Sequence, residues 1–259
     1  MEFRIYHIKI IFFLVIATGL LSIRAFATEL DNKNKFEIKA SEKLEWYQLE
    51  NKIVALGNAE VKSNLFKINA DEIEGFYNGQ IGKGKIKKLI AKKNAAFKSS
   101  QIFINSNYME YDLEKEILIV TGNNISMTSN LGSINAQKSL VYEKSKKQIF
   151  LEGNVLIELK NQNSKINANR LIISIDEKEN ITLVKAIDMV NVKLDELQQN
   201  IFSDEAEFDN LKRKINFKGN VILNQNDSTL KGNNAIIDFE KGMSSITSTK
   251  QSSVTGVFY

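Results

Sequence analysis

The chain of 259 residues contains no cysteine, no proline and a single histidine, His7. Without cysteine it cannot form disulfides, thiol nucleophiles or the common cysteine-ligated zinc sites. His7 lies close to the N-terminus, so the rest of the chain lacks the commonest general base. Proline is excluded from central strands, and a chain without it is free to pair strands along its whole length. The composition therefore argues against most hydrolytic and metal chemistry.

The N-terminus has the features of an export signal. Arg4 and Lys9 precede an apolar run, and small residues at positions 25 and 27 form a cleavage site. The run is shorter than the roughly 20 residues needed to cross a bilayer. We predict a signal peptide over residues 1–27, cleaved after Ala27, and an exported mature protein. The alternative is an uncleaved anchor over residues 5–27.

The mature chain is nearly neutral and poor in arginine. Residues 28–259 hold only Arg170 and Arg213, and acidic residues almost balance the lysines. Arginine is the preferred residue for bidentate recognition of bases and phosphates, so this composition argues against a nucleic-acid partner.

A short sequence motif, in which Gly-Asn interrupts an apolar run, recurs along the chain. Clear copies occur at Gly57-Asn58, Gly122-Asn123, Gly153-Asn154 and Gly219-Asn220, with spacings of 65, 31 and 66 residues. Looser copies around Asn94 and Asn191 divide the long gaps and give a period of about 32 residues, which is typical of repeat architectures. Units of this size cannot bury an apolar face alone and must stack.

Apolar residues alternate with polar ones on both sides of these glycines, as in half-buried strands. Gly-Asn between such runs is compatible with a hairpin turn or with a bend inside one strand. The alternation keeps its phase through the glycine, which favours the bend. After the related segments at 68–70 and 166–168 the phase changes, which predicts a bulge at each. The matched long spacings predict two modules, over residues 28–148 and 149–259.

Several segments imitate functional motifs. Residues 79–85 resemble a phosphate-binding loop, but Ile86 stands where a Ser or Thr would hold magnesium, and no helix pattern follows. We interpret the lysines at 83–93 as a solvent-exposed strand face that keeps the protein soluble. The alternative is a cationic edge that attracts anionic head groups. Carboxylates at 71–74 and 204–207 imitate a glycosidase pair, yet their equivalent places in the repeat suggest a structural role.

Aromatic residues at 46–47 and 76–77 suggest a sugar platform. Aromatic side chains in strands more often pack across the sheet, and we interpret them in that way.

The segment from Gly57-Asn58-Ala59-Glu60-Val61 to Ile68-Asn69-Ala70-Asp71 resembles the LptA/OstA family of lipopolysaccharide-transport bridge proteins. The likeness continues through Gly122-Asn123 and Ile134-Asn135-Ala136, and weakly over residues 149–241. The resemblance implies an all-β fold, a twisted V-shaped β-jellyroll built from tandem strand repeats, here in two modules. The second module is a departure from a single bridge unit.

The resemblance also implies a task. The mature protein would lie in the periplasm, shield lipid A acyl chains in an apolar groove and pass lipopolysaccharide from the inner to the outer membrane. Its partners would be an LptC-like inner-membrane protein, an LptD-like outer-membrane protein and further copies in a head-to-tail oligomer. These would join by strand addition at edges near residues 36–46 and 235–257. No catalytic group or cofactor is required.

The candidate groove residues are the inward apolar positions beside the glycines and in the partner strands: Leu56, Phe66, Ile68, Val120, Ile134, Leu151, Val155, Ile166, Phe217 and Val221. The simpler interpretation is that each of these side chains packs in the hydrophobic core. The main functional alternative is a structural or polysaccharide-binding β-solenoid of the cell envelope, whose core would be tightly filled, whereas a lipid conduit needs an unfilled groove. A carbohydrate lyase is disfavoured by the scarcity of Arg and His.

Overall fold

The computed structural model describes residues 36–79, 85–100, 102–129, 132–160, 164–177, 180–249 and 253–258. In these segments the chain forms eighteen strands and three short 3-10 turns, Gln48–Glu50, Lys144–Lys146 and Asp195–Leu197, but no α-helix. The strands are β1 (Glu37–Lys39), β2 (Lys43–Tyr47), β3 (Lys52–Lys62), β4 (Phe66–Asn78), β5 (Lys85–Ser99), β6 (Phe103–Asp112), β7 (Ile117–Thr121), β8 (Ile125–Thr128), β9 (Gly132–Ala136), β10 (Ser139–Glu143), β11 (Gln148–Leu159), β12 (Ser164–Ile175), β13 (Ile181–Leu194), β14 (Gln199–Asp209), β15 (Lys214–Gln225), β16 (Ser228–Asp238), β17 (Met243–Thr247) and β18 (Thr255–Val257). The all-β jellyroll prediction is confirmed.

Long strands bend at Gly-Asn without breaking. In β3, Gly57 and Asn58 have φ values of 77° and 43°, and the register with β4 shifts between Leu56 and Ala59. Glycine adopts this left-handed conformation without steric cost, and asparagine tolerates it better than most residues. Bends of the same kind lie inside β11 and β15. The bend interpretation is therefore confirmed for these three copies, whereas at Gly122 the chain leaves the strand between β7 and β8.

Two further bends contain no glycine. Lys93 and Asn94 in β5 have φ values of 60° and 52°, and Asp188 and Met189 in β13 have 63° and 51°. The copy of the repeat motif predicted around Asn94 is therefore present as a bend in β5. The copy expected at Asn191 is misplaced, because the bend of β13 lies just before it, at Asp188 and Met189. Sequence patterning missed this position since it has no Gly-Asn pair and methionine is not typical of a left-handed conformation.

Each bend divides a strand into two arms. The short strands show this most clearly, because β2 pairs with the first arm of β3 and β1 with the second. In the same way β7 and β8 pair with the two arms of β6, and β17 and β18 with those of β16. All these pairings are antiparallel, so successive bent strands form a meander.

The strands that face the glycine bends show the predicted change of phase. In β4 the buried positions are Phe66, Ile68 and Ala70 before the bend, and Ile73 after it. The register of β4 with β5 shifts between residues 69 and 72, and that of β12 with β13 between residues 167 and 170. The irregularities keep apolar side chains on the inner face of both arms.

The chain divides into two compact units. The N-terminal unit contains the described residues from 36 to 129 and from 135 to 150, and the C-terminal unit contains those from 132 to 134 and from 151 to 258. The sequence-based module boundary at residue 148 stays a prediction. The predicted signal peptide, residues 1–27, lies outside the described residues.

Aspartates close several hairpins. Asp112 accepts hydrogen bonds from the backbone N–H groups of Glu114 and Lys115, and Asp238 accepts them from Glu240 and Lys241. Asp209, at the end of β14, likewise accepts a hydrogen bond from the backbone N–H of Lys212. Such side-chain turns satisfy backbone donors where the strand ladder ends.

Candidate functional site

The inner face of the N-terminal unit is lined by two apolar rows, one on each arm. In one row Val61, Ile68, Phe97, Ile104 and Met127 lie side by side across five strands. All five side chains are buried. Neighbouring residues in each strand point to the opposite face, because side chains alternate along a strand. The row is thus a continuous apolar surface.

The second row of this unit lies on the other arm and includes Ala55, Ile73, Ala91, Met109 and Val120. Every member is buried and none is polar. These two rows therefore contain no side chain that needs a hydrogen-bond partner.

The C-terminal unit repeats this arrangement. One arm carries Ile166, Val192, Ile201 and Leu223 in register, all buried. The other arm carries a second buried row of Leu171, Ala186, Ala206, Phe217 and Ala235. Both units therefore present the same kind of inner surface.

Nine of the ten groove residues expected from sequence are buried on these inner faces: Phe66, Ile68, Val120, Ile134, Leu151, Val155, Ile166, Phe217 and Val221. Leu56 differs, because it is half-exposed and lies opposite Glu72, whereas its neighbour Ala55 faces inward. Their role in binding lipid stays a prediction. Sequence patterning missed Phe97 and Met109, although both occupy alternate positions in their strands and this signal was available.

The inner face is closed around Ile68. The two arms meet there, and the remaining cavity between Ile68, Leu89, Phe97, Met109 and Tyr111 measures about 10 Å³. The rings of Phe66 and Phe97 pack with centroids 5.5 Å apart. The unfilled groove expected of a lipid conduit is therefore not present at this place, since the protein's own side chains fill it.

The carboxylates that imitate a glycosidase pair are used in structural contacts. Glu72 and Glu74 both bind the Lys92 ammonium, at 2.9 and 3.1 Å. Asp71 accepts hydrogen bonds from the Asn94 amide at the bend of β5. These groups neutralise one another on the outer face, and this arrangement supports the structural interpretation.

The aromatic residues suspected of forming a sugar platform pack together at the N-terminal edge. The Trp46 indole N–H donates to the Tyr77 hydroxyl at 3.0 Å, and the rings meet edge to face. The Lys52 ammonium lies over the Tyr47 ring, in a cation–π contact. This geometry is cross-strand packing.

The lysines from Lys85 to Lys93 lie in β5, whereas Lys83 falls outside the described residues. Lys88 forms an ion pair with Glu110, and Lys92 is held as described above. These contacts fit the solvated-face interpretation. Of the suspected phosphate-binding loop, residues 79–85, only Gly79 and Lys85 belong to the described residues.

Both ends of the described chain present strand edges with exposed apolar side chains. At the N-terminal edge, β2 pairs with β3 and exposes Leu44 and Trp46. At the C-terminal edge, β18 pairs with β16 and exposes Val257, followed by Phe258. Unpaired edges of this kind are suited to strand addition.

The described residues contain no group of three His, Asp or Glu side chains placed to hold a metal ion. Within that part of the chain, no helix has the length and hydrophobicity needed to cross a bilayer.

Comparison with known proteins identifies one family. The sequence profile described as "LptA/(LptD N-terminal domain) LPS transport protein" matches residues 37–145 and 200–256, more than half of the chain. Among solved structures, the chain is similar to LptH of Pseudomonas aeruginosa, described as the LptA homologous periplasmic component of a lipopolysaccharide transport device. That match has 10% identity and a TM-score of 0.43, and covers 49% of this chain and 93% of LptH. No curated protein matches the chain.

Proposed function

Because the chain belongs to the LptA and LptD N-terminal family of lipopolysaccharide transport proteins, we propose that it is a periplasmic bridge. It shields the acyl chains of lipid A and passes lipopolysaccharide from the inner to the outer membrane. The observation that supports this proposal is the inner face of each unit, where rows of buried apolar side chains run across successive strands and contain no charged group.

The free-energy cost of exposing lipid acyl chains to water is large. Each methylene kept out of water is worth about 0.8 kcal/mol, so a chain of about twelve methylenes gains roughly 10 kcal/mol when it is covered. An apolar surface lowers the barrier to crossing water by supplying that cover. This work requires shape and hydrophobicity and no catalytic group, and we propose that the protein is not an enzyme and uses no cofactor.

The closed interior sets a condition on the proposal. Since the two arms meet around Ile68 and Phe97, acyl chains enter only when the arms separate. Separation exchanges contacts among apolar side chains for contacts between side chains and acyl chains. No hydrogen bond between the rows opposes it, so the exchange is nearly neutral once lipid is present.

The exposed edges supply the attachment points. We propose that β1 and β2 receive a strand from an LptC-like inner-membrane protein, and that β17 and β18 receive one from an LptD-like outer-membrane protein or from the next copy in a head-to-tail oligomer. Main-chain hydrogen bonds supply affinity in this mode, and the exposed Trp46 and Phe258 supply apolar contact.

Photo-crosslinking with lipopolysaccharide tests the proposal. A photoreactive residue is placed at Phe66, Ile68 or Leu151, which are buried. The neighbouring positions Lys67 and Glu152 serve as matched controls because they lie on the opposite face. We expect crosslinks at the three inward positions and few at the controls. Crosslinks confined to Lys67 and Glu152 contradict the bridge function.

The alternative is a structural or polysaccharide-binding β-solenoid, and the filled interior around Ile68 favours it. A solenoid core never opens, so the two functions differ in one measurable property. Under the alternative, lipopolysaccharide gives no crosslink at Ile68 at any concentration, even where it binds elsewhere on the protein.

A further inference from the structure

A shallow groove of about 430 Å³ lies on the outer face of the C-terminal unit, beside the bend of β13. Its lining combines amide, hydroxyl, carboxylate and apolar side chains: Asn167, Met189, Val190, Asn191, Phe202, Ser203, Asp204 and Asn220. Asn167, Asn191 and Phe202 point outward, because their chain neighbours Ile166, Val192 and Ile201 are buried on the inner face, whereas Val190 and Ser203 of the lining are themselves buried.

Three of the lining residues form a row across neighbouring strands. Asn167 of β12 lies opposite Asn191 of β13, which in turn lies opposite Phe202 of β14. Directly opposed residues in a sheet have Cβ atoms about 5 Å apart. Two amides and an aromatic ring therefore stand side by side, at the spacing of substituents on a sugar ring.

The polar groups of the groove are partly unsatisfied. The Asn191 carbonyl oxygen Oδ1 is buried and accepts no hydrogen bond from any described residue. A buried acceptor without a donor costs about 1–3 kcal/mol. Rotation of this amide toward the groove, where a ligand hydroxyl could donate to Oδ1, would remove that cost. On the far side of the groove, Asn220 donates to Asp204 at 2.9 Å and fixes the carboxylate.

The apolar walls are unusually exposed. The Met189 side chain is 69% exposed, although its backbone is held at φ 51°, a conformation that costs energy for a residue other than glycine. Phe202 is 37% exposed on the same surface. Strained residues often mark functional positions, and this one holds an apolar side chain over the groove.

The N-terminal unit provides an internal comparison. Its equivalent row, by the same register, is Asn69, Ala96 and Asn105. The bend of β5 there carries Asn94, whose amide donates to Asp71. The C-terminal unit thus has methionine, asparagine and phenylalanine where the N-terminal unit has asparagine, alanine and asparagine. The fold tolerates both sets, so the bend alone does not require the groove's residues.

We propose that this groove binds a sugar ring of a cell-envelope saccharide. Amide side chains both donate to and accept from hydroxyl groups, and an aromatic ring covers the apolar C–H face of a pyranose. The eight lining residues include no lysine or arginine, and their one charged group is the Asp204 carboxylate. A neutral, hydroxyl-rich ligand therefore fits better than a phosphate.

The sugar has two possible sources, the saccharide part of lipopolysaccharide and a free glycan. The groove does not depend on acyl chains entering the interior, so this site stands or fails separately from the bridge function.

Methyl NMR of the full mature chain, labelled at methionine, tests the site. Two probes are titrated: deacylated lipopolysaccharide, and maltoheptaose as a neutral free glycan. We expect the Met189 methyl signal to shift with at least one probe. A shift with deacylated lipopolysaccharide alone assigns the glycolipid as source, and a shift with maltoheptaose assigns a free glycan.

The variants Phe202→Asn and Asn191→Ala carry the residues that the N-terminal unit uses, and circular dichroism checks that they fold. Each is expected to bind at least about tenfold more weakly, the loss of a stacking surface or of hydrogen bonds. The matched control Asn105→Ala in the N-terminal unit leaves binding unchanged. The proposal is overturned if neither saccharide shifts the Met189 signal, or if both folded variants bind as well as the wild type.

Discussion

Replacement of Gly57 by alanine tests the structural role of the bends. Gly57 has φ 77°, and an L-residue in the left-handed region costs about 1–2 kcal/mol. A Cβ at this position would lie 2.4 Å from Cγ of Glu42, so that side chain and its backbone have to move. The Ser41 N–H and hydroxyl both donate to the Gly57 carbonyl oxygen, at 2.7 and 2.8 Å.

Loss of one such hydrogen bond adds about 0.5–1.5 kcal/mol, which gives a total of about 1.5–3.5 kcal/mol for Gly57→Ala. In a Glu42→Gly background the side-chain overlap is absent. We expect Gly57→Ala to cost only the backbone part there, about 1–2 kcal/mol. The difference between the two backgrounds measures the contact between residues 42 and 57.

Urea denaturation followed by far-UV circular dichroism and by Trp46 fluorescence measures these losses, because Trp46 lies in the same unit. The control is Gly75→Ala, where φ is not positive and the nearest atom to a new Cβ is Leu89 Cδ2 at 3.6 Å. That change is expected to stay within about 0.5 kcal/mol. If Gly57→Ala and Gly75→Ala are equally tolerated, the bend does not depend on the left-handed glycine and our reasoning is wrong.

Phe217→Ala empties a fully buried site and is expected to lower the free energy of unfolding by about 3–5 kcal/mol, measured by urea denaturation. Asp238→Asn tests electrostatics. Hydrogen bonds from the Lys241 backbone and the nearby Lys214 ammonium, at 3.0 Å, hold the pKa of Asp238 below its usual value. Its contribution is therefore present above about pH 4 and lost as pH falls further. We expect Asp238→Asn to be less stable than wild type at neutral pH, and the gap to shrink in acid.

Two results would contradict these expectations. Phe202→Ala, at a half-exposed position in the same unit, serves as the control for Phe217→Ala, and equal losses would show that residue 217 does not pack the core. A stability gap for Asp238→Asn that is the same at neutral and acidic pH would show that the charge of the carboxylate is not what stabilises the turn.

The strand pattern was the feature of the fold that the sequence predicted best. Apolar alternation and its unbroken phase identified the bends at Gly57, Gly153 and Gly219, because glycine and asparagine are the residues that such a bend favours. The bend at Met189 was missed for the same reason. Its left-handed backbone is imposed by neighbouring strands in register, and this tertiary constraint leaves no local signal.

The candidate site shows a similar division. Alternation placed Phe66, Ile68 and Val221 on the inner face, but assigned Leu56 to it although Ala55 is the inward residue. Two adjacent apolar residues before a bend leave the phase ambiguous, and pairing with Glu72 decides it. Whether the arms leave an open groove depends on side-chain volumes from both, which a linear pattern does not contain.

The central claim is that acyl chains lie between the two arms of the sheet. Isotope-filtered NOE spectra of the mature protein, methyl-labelled at Ile, Leu and Val and bound to ¹³C-labelled lipopolysaccharide, measure this directly. We predict contacts from acyl methylenes to the buried methyl groups of Ile68, Ile166 and Val221. Contacts found only at the outward methyl groups of Ile119 and Ile222 would show that lipid binds the outer surface, in contradiction of the bridge function.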